Sequence, residues 1–176
     1  LAIATSADRS YGRVLRAEWL IGGFAKIKSQ NYKHAKSSGF KEKIAREVAL
    51  MPHLNIGVFS LEANATHWEA WQKNLKQALS SGRIWGSEQI AMNVTVYHDK
   101  FDVEILPAYC NWTLIENLKF DKKNNTLVEP YLPNNEIGII HFAGKNNDEI
   151  RKNKNFISKI KTLDGDIIEK CLRFNN

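Results

Sequence analysis

The sequence predicts an α/β fold, and three observations predict it. Strand-like and helix-like patterns alternate along the 176 residues. Two near-continuous apolar runs of strand length, "NIGVFSL" and "EIGIIHFAG", suit strands covered on both faces. Between and around them lie segments whose apolar residues recur at helical spacing. A chain of this length suits a single domain with a sizeable core. No apolar run reaches the roughly 18 residues of a membrane span.

The elements follow in order. "LAIAT" at 1–5 reads as a short buried strand, left by the turn "SADRSYG". Residues 13–50 read as mainly helical, with breaks expected at Gly22-Gly23 and at "SSG", residues 37–39. Pro52 ends that region and "NIGVFSL" follows as a strand. Asn64 or Thr66 caps a helix to about Leu79, with Trp68, Trp71, Leu75, Ala78 and Leu79 on one stripe. Ser87 caps a shorter helix, "SEQIAMNVTVY". "FDVEILP" alternates like a strand and stops at Pro107. After a polar "DKKNNT" turn, "EIGIIHFAG" forms the second apolar strand. The tail reads as an amphipathic helix with Ile150, Phe156, Ile157 and Ile160 on one side. One composition shift, near residue 50, divides the domain into a basic helical region (1–52), a core (53–145) and a helical tail (146–176).

Charge and cysteine usage narrow the setting. The formal net charge is +6. Ten Lys and Arg residues from Arg9 to Arg46 face only Glu18 and Glu42. Such a segment can meet phosphates, an anionic membrane surface or an acidic partner, or it can be a solvated helix face. Its aromatics lack the regular interleaving of a base-stacking surface, and no nucleic-acid-binding motif is present. Cys110 and Cys171 belong to no Cys-x-x-Cys pair, which disfavours a thiolate metal site and suits a reducing, cytoplasmic compartment.

Chemistry-bearing residues gather at strand ends, where ligands collect in open α/β sheets. Asn55-x-Gly57 opens one apolar strand and His141-x-x-Gly144 closes the other. A strand-end imidazole followed by small residues can serve a metal-bound phosphate, or can be a hydrogen-bonded core histidine. Glu88-Gln89, with Asn93 one turn on, forms a third polar cluster; its acidic residue also complements a helix dipole. Trp68 and Trp71 read as core anchors rather than as a sugar-stacking platform.

In this order, "NIGVF", "HWEAWQKNL", "EQIAMN", "ILPAYCNW" and "GIIHFAGK" resemble the C-terminal half of GT-A nucleotide-sugar glycosyltransferases, closest to glycosyltransferase family 8. The matches are Asn55, Gly57 and Val58; Glu88, Gln89 and Asn93; Leu106, Pro107 and Asn111; and His141, Gly144 and Lys145. The resemblance implies a GT-A-like mixed sheet flanked by helices. It implies metal-assisted transfer of a sugar from a nucleotide-sugar, such as a UDP-sugar, to a glycan, lipid or protein acceptor. Glu88 and Gln89 would then be catalytic. Asn55, Gly57, Asn93, Asn111, Gly144 and Lys145 would bind substrate, and His141 would ligate Mn²⁺ or Mg²⁺. A non-catalytic GT-A-like domain that binds a glycan or a protein is the alternative.

The sequence departs from the family pattern in three ways, one of them "KNNDEI" after Gly144, where the family carries Lys-Pro-Trp. The Asp-x-Asp that supplies the metal's oxygen ligands, and the nucleotide-binding first half that carries it, are expected upstream of Leu1. The one Asp-x-Asp present, Asp164-Gly165-Asp166, follows the His motif and reads as a turn. The basic segment at 9–46 is expected to hold such an enzyme peripherally at an anionic membrane.

Overall fold

Residue pattern and pairing build two mixed sheets, each in its own compact unit, Leu1–Pro107 and Ala108–Asn176. The computed structural model describes residues 1–5, 17–81, 84–113, 118–142 and 148–172. The boundary between the units falls at Pro107, within the stretch expected to form the core.

The first unit contains β1 (Ala2–Thr5), α1 (Ala17–Ser37), α2 (Glu42–Leu50), β2 (Leu54–Ser60), α3 (His67–Ser80), α4 (Ser87–Tyr97) and β3 (Glu104–Leu106). Its sheet runs β2-β1-β3, with β1 parallel to β3 and antiparallel to β2. The expected break at Gly22-Gly23 does not occur, and α1 runs through both glycines. Glycine weakens a helix by only about 1 kcal/mol, which the rest of a 21-residue helix outweighs. The turn at Ser38-Gly39 does end it, with Gly39 in the left-handed region at φ 78°. In the adjoining α2, Ala45 and Val48 are buried against Ala35, Phe40, Ala78, Ile90 and Val94.

Helix α4 is buried along nearly its whole length, from Ile90 to Tyr97, which is why its sequence is apolar all round. The polar exceptions are satisfied. The Thr95 hydroxyl donates to the Ala91 carbonyl (2.9 Å) and accepts from Asn74 of α3 (3.0 Å). The Tyr97 hydroxyl donates to the Pro52 carbonyl (2.6 Å), and burial pushes its pKa up to about 12. Against β1 and β2, Ile3, Leu54, Met92, Val96 and Tyr97 form a second core cluster.

Strand β2 differs from the fully covered strand its apolar run suggests. It is a sheet edge, and Gly57 and Ser60 are exposed. Its pairing with β1 also slips. Between the pairs Ile3–Phe59 and Thr5–Leu54, the single residue Ala4 corresponds to residues 55–58 of β2. This is a large bulge, a device that blunts an edge strand and bends it locally.

The second unit holds a four-stranded sheet in the order β5-β4-β6-β7. Its elements are β4 (Lys119–Asp121), β5 (Thr126–Val128), the short α5 (Asp148–Lys152), β6 (Ile157–Thr162) and β7 (Ile167–Cys171). The core is Trp112, Leu118, Phe120, Ile137, Ile150 and Ile160. Two expectations are corrected here. The tail is not one helix: among its described residues only Asp148–Lys152 is helical, and β6 and β7 make an antiparallel hairpin. Burial alternates along β6, with Ser158, Ile160 and Thr162 inward, and Gly165 turns the chain at φ 98°. Nor do residues 136–142, the described part of "EIGIIHFAG", form a strand. They make isolated bridges, Val128–Glu136 and Trp112–Ile140, and Gly138 and Ile139 face solvent.

Candidate functional site

In the first unit, the start of β2 and the first turns of α4 are locked together by side chains. Asn93 is fully buried. Its Oδ1 accepts the Leu54 N–H (3.0 Å), and its Nδ2 donates to the Leu54 carbonyl (3.2 Å) and to the Gln89 carbonyl (2.8 Å). One carboxamide thus pairs with Leu54 as a neighbouring strand would. One turn earlier, the Gln89 amide donates to His53 Nε2. With Nε2 accepting, the imidazole proton sits on Nδ1, which is sealed from solvent and has no partner among the described residues. Burial, followed by the neighbouring His34, lowers the His53 pKa to about 4, so the ring is neutral at pH 7.

This junction lies at a defined place in the sheet. Leu54 pairs with Thr5 and Leu106 with Ala4, so the start of β2 borders the C-terminal ends of the parallel strands β1 and β3. Loops and helix ends diverge there. Asn55 stands one residue further along β2. Its Oδ1 accepts the Gly57 N–H (2.9 Å), closing the bulge with an Asx-type turn. The amide and the glycine therefore have a structural reason at this position: the bulge leaves backbone groups off the ladder, and Asn55 satisfies one of them.

Glu88, in the first turn of α4, is exposed, and the Trp71 indole donates to its backbone carbonyl (3.0 Å). Trp71 meets the core-anchor expectation, packing edge-on against Phe59 (centroids 5.7 Å apart). Trp68 stacks on Trp71 but is more open to solvent, at 37% exposure. Gly86, left-handed at φ 78°, precedes α4 beside His34. Trp85 packs edge-on to His34 and is 77% exposed. His34, His53 and Trp85 were not picked out as site residues in the sequence; a histidine directly ahead of the Asn-x-Gly strand was the one available signal.

In the second unit, His141 Nδ1 lies 3.0 Å from Asn111 Oδ1. The oxygen can only accept, so Nδ1 carries a proton and donates it. Backbone bonds fix both residues: His141 N–H donates to the Trp112 carbonyl (2.8 Å), and Trp112 N–H donates to the Ile139 carbonyl (2.9 Å). Asn111 is buried, and its Nδ2 has no partner among the described residues. Gly144 and Lys145 lie outside the described residues.

Seven of the nine expected site residues are described, and they fall into two groups. Asn55, Gly57, Glu88, Gln89 and Asn93 share the β2–α4 junction, and Asn111 joins His141. Among the described residues, no three His, Cys, Asp or Glu side chains are grouped to hold a metal ion, and no helix is long and apolar enough to cross a membrane. A separate open cavity of about 480 Å³ in the first unit is bordered by Ser60, Glu62, Asp102 and Glu104. It contains none of the expected site residues.

No protein-family model matches the chain, and no curated protein or solved structure matches it significantly.

Proposed function

We propose that the chain is the acceptor-side half of a GT-A-like sugar transferase, acting on a nucleotide-sugar donor such as a UDP-sugar. The observation that carries this reading is the joining of Gln89 and Asn93 to His53 and Leu54. These bonds tie the Glu88–Asn93 motif to the two residues just ahead of the Asn55-x-Gly57 motif, beside the C-terminal ends of β1 and β3, the side of the sheet on which α/β enzymes bind ligands. In this reading Glu88, exposed on the first turn of α4, faces the reacting sugars, and Asn55 and Gly57 form the floor beside it. The buried Asn93 acts beneath that floor, fixing its position without touching substrate. Such a site works by orientation and by stabilising developing charge.

The Asn111–His141 pair supports the metal part of the reading. A ligating imidazole characteristically gives its other N–H to a fixed acceptor, as His141 does to Asn111. His141 therefore fits one ligand position for Mn²⁺ or Mg²⁺, and the oxygen ligands belong to the Asp-x-Asp that the resemblance expects upstream. When bound, the cation would neutralise charge on a diphosphate leaving group. The basic segment, with Lys26, Lys33, Lys36, Lys41, Lys43 and Arg46 outward on α1, α2 and the turn between them, suits peripheral attachment to an anionic membrane.

Isothermal titration of the transferase, with the upstream half that the resemblance expects joined to this chain, against UDP with and without MnCl₂ tests the reading. UDP binding that needs Mn²⁺ and disappears in His141→Ala is the expected result. Absence of UDP binding with Mn²⁺ present, or binding indifferent to His141→Ala, rejects it.

A further inference from the structure

We infer that Trp85 is a stacking platform for the acceptor, and that the acceptor group it holds is a carbohydrate; this rests on the sugar-transfer reading above. The indole is 77% exposed, and its neighbour Ile84 is 80% exposed. Large apolar side chains so open to solvent next to a polar cluster mark a binding surface.

The ring is held in place. Its turn is closed by a bond from Ser87 N–H to the Ile84 carbonyl (3.3 Å), and Ser87 is fully buried. His34 braces the indole edge-on, with ring centroids 5.6 Å apart and planes at 85°. Gly86 shapes that turn: its φ of +78° is one that L side chains rarely adopt, and a Cβ there would meet His34 Nδ1 only at an ordinary contact distance of 3.6 Å. An aromatic surface fixed before binding loses little freedom when a ligand settles on it.

The surroundings select the ligand's chemistry. Glu88 is exposed, Gln89 is half-buried, and both lie within the turn that follows Trp85. An apolar protein partner covering Trp85 would have to strip water from the Glu88 carboxylate without replacing its hydrogen bonds. A sugar ring does not carry that penalty. Its C–H face lies on the indole while its hydroxyls bond the carboxylate and the amide. The platform also places such a ring beside the residues assigned to the transfer itself.

The test uses the same protein, ¹⁵N-labelled and with the upstream half joined, titrated with lactose and with maltose, following the tryptophan indole N–H resonances. The Trp85 resonance is assigned by its disappearance in Trp85→Phe. The expected result is a saturable shift of that resonance by at least one disaccharide. Affinity should fall by about tenfold in Trp85→Ala and by less than about threefold in Trp85→Phe, which keeps a stacking face. UDP binding with Mn²⁺ should be the same in all three proteins. Disaccharide affinity unchanged in Trp85→Ala overturns the inference, as does the absence of any shift at the Trp85 resonance, and either leaves the transferase reading standing if UDP still binds. A Trp85-dependent disaccharide shift in a chain that binds no UDP supports the platform and rejects the transferase.

Discussion

Asn93 bonds to Leu54 through both backbone groups of that residue, at 3.0 Å to its N–H and 3.2 Å from its carbonyl. A side chain from the middle of a helix thereby supplies the pairing partner that an edge strand lacks at its first residue. The start of β2 is positioned by this contact as much as by its ladder to β1, which slips just beyond it.

Removing the carboxamide should therefore be expensive. Asn93→Ala leaves the Leu54 N–H and the Leu54 carbonyl without this partner in a buried setting. Unmet buried polar groups cost about 1–3 kcal/mol each, with partial relaxation reducing the sum. A loss of about 3 kcal/mol is expected in urea unfolding followed by tryptophan fluorescence. A loss below about 0.5 kcal/mol, the range of surface substitutions, would show that the contact does not hold the strand.

His53 sets a pH window. Its folded pKa is about 4, below the ordinary 6.5. Above 6.5 the ring is neutral in both folded and unfolded chains and contributes no pH dependence. As pH falls from 6.5 towards 4, the unfolded chain takes up a proton that the folded one refuses, so stability declines. The decline is about 3 kcal/mol across the window and levels off below 4. Urea midpoints measured between pH 4 and 7 check this, with His53→Gln as the control. If the variant keeps the wild-type slope, the histidine is not the cause.

Asn111 should control His141 from behind. Loss of a partner that orients a ligating histidine typically weakens metal binding by about 10–100-fold. Under the proposed function, Asn111→Ala should weaken Mn²⁺-dependent UDP binding in that range while His141→Ala abolishes it. The two substitutions together should be no worse than His141→Ala alone, because Asn111 acts only through the imidazole. Mn²⁺-dependent UDP binding left unchanged by Asn111→Ala in titration calorimetry would contradict that dependence.

The sequence is legible where local pattern and packing agree. Thr66 and Ser87 mark α3 and α4 within a residue, and Pro107 closes β3 as read. Where they disagree, it misleads. Ile150, Phe156, Ile157 and Ile160 fit a helical stripe, yet Ile157 is exposed on β6 while Ser158 beside it is inward. The alternation from 157 to 162 and the Asp-Gly pair after it carry the hairpin signal. The site divides in the same way. Clustering of Asn55, Gln89 and Asn93 follows from strand-end logic, but the role of each carboxamide does not. Asn55 bonds its own bulge and Asn93 lies inside, because both answer backbone demands that appear only once β2 is placed at an edge. His53 was missed because its importance comes from desolvation beside Gln89 rather than from any motif.

Gly165 offers the cleanest check on the corrected tail. It holds φ at 98° in the turn between β6 and β7, and its N–H donates to the Thr162 carbonyl (3.1 Å). Nothing lies within 4 Å of where a Cβ would sit, so a substitution there meets no steric clash with neighbours. Its cost is conformational alone, about 1–2 kcal/mol for Ala in a left-handed backbone. Gly165→Asn should lose less, because asparagine tolerates positive φ. A helical tail would give the opposite order, since glycine weakens a helix by about 1 kcal/mol relative to alanine and Gly165→Ala would then stabilise it. Thermal unfolding of the three proteins decides between hairpin and helix by the sign of the alanine effect.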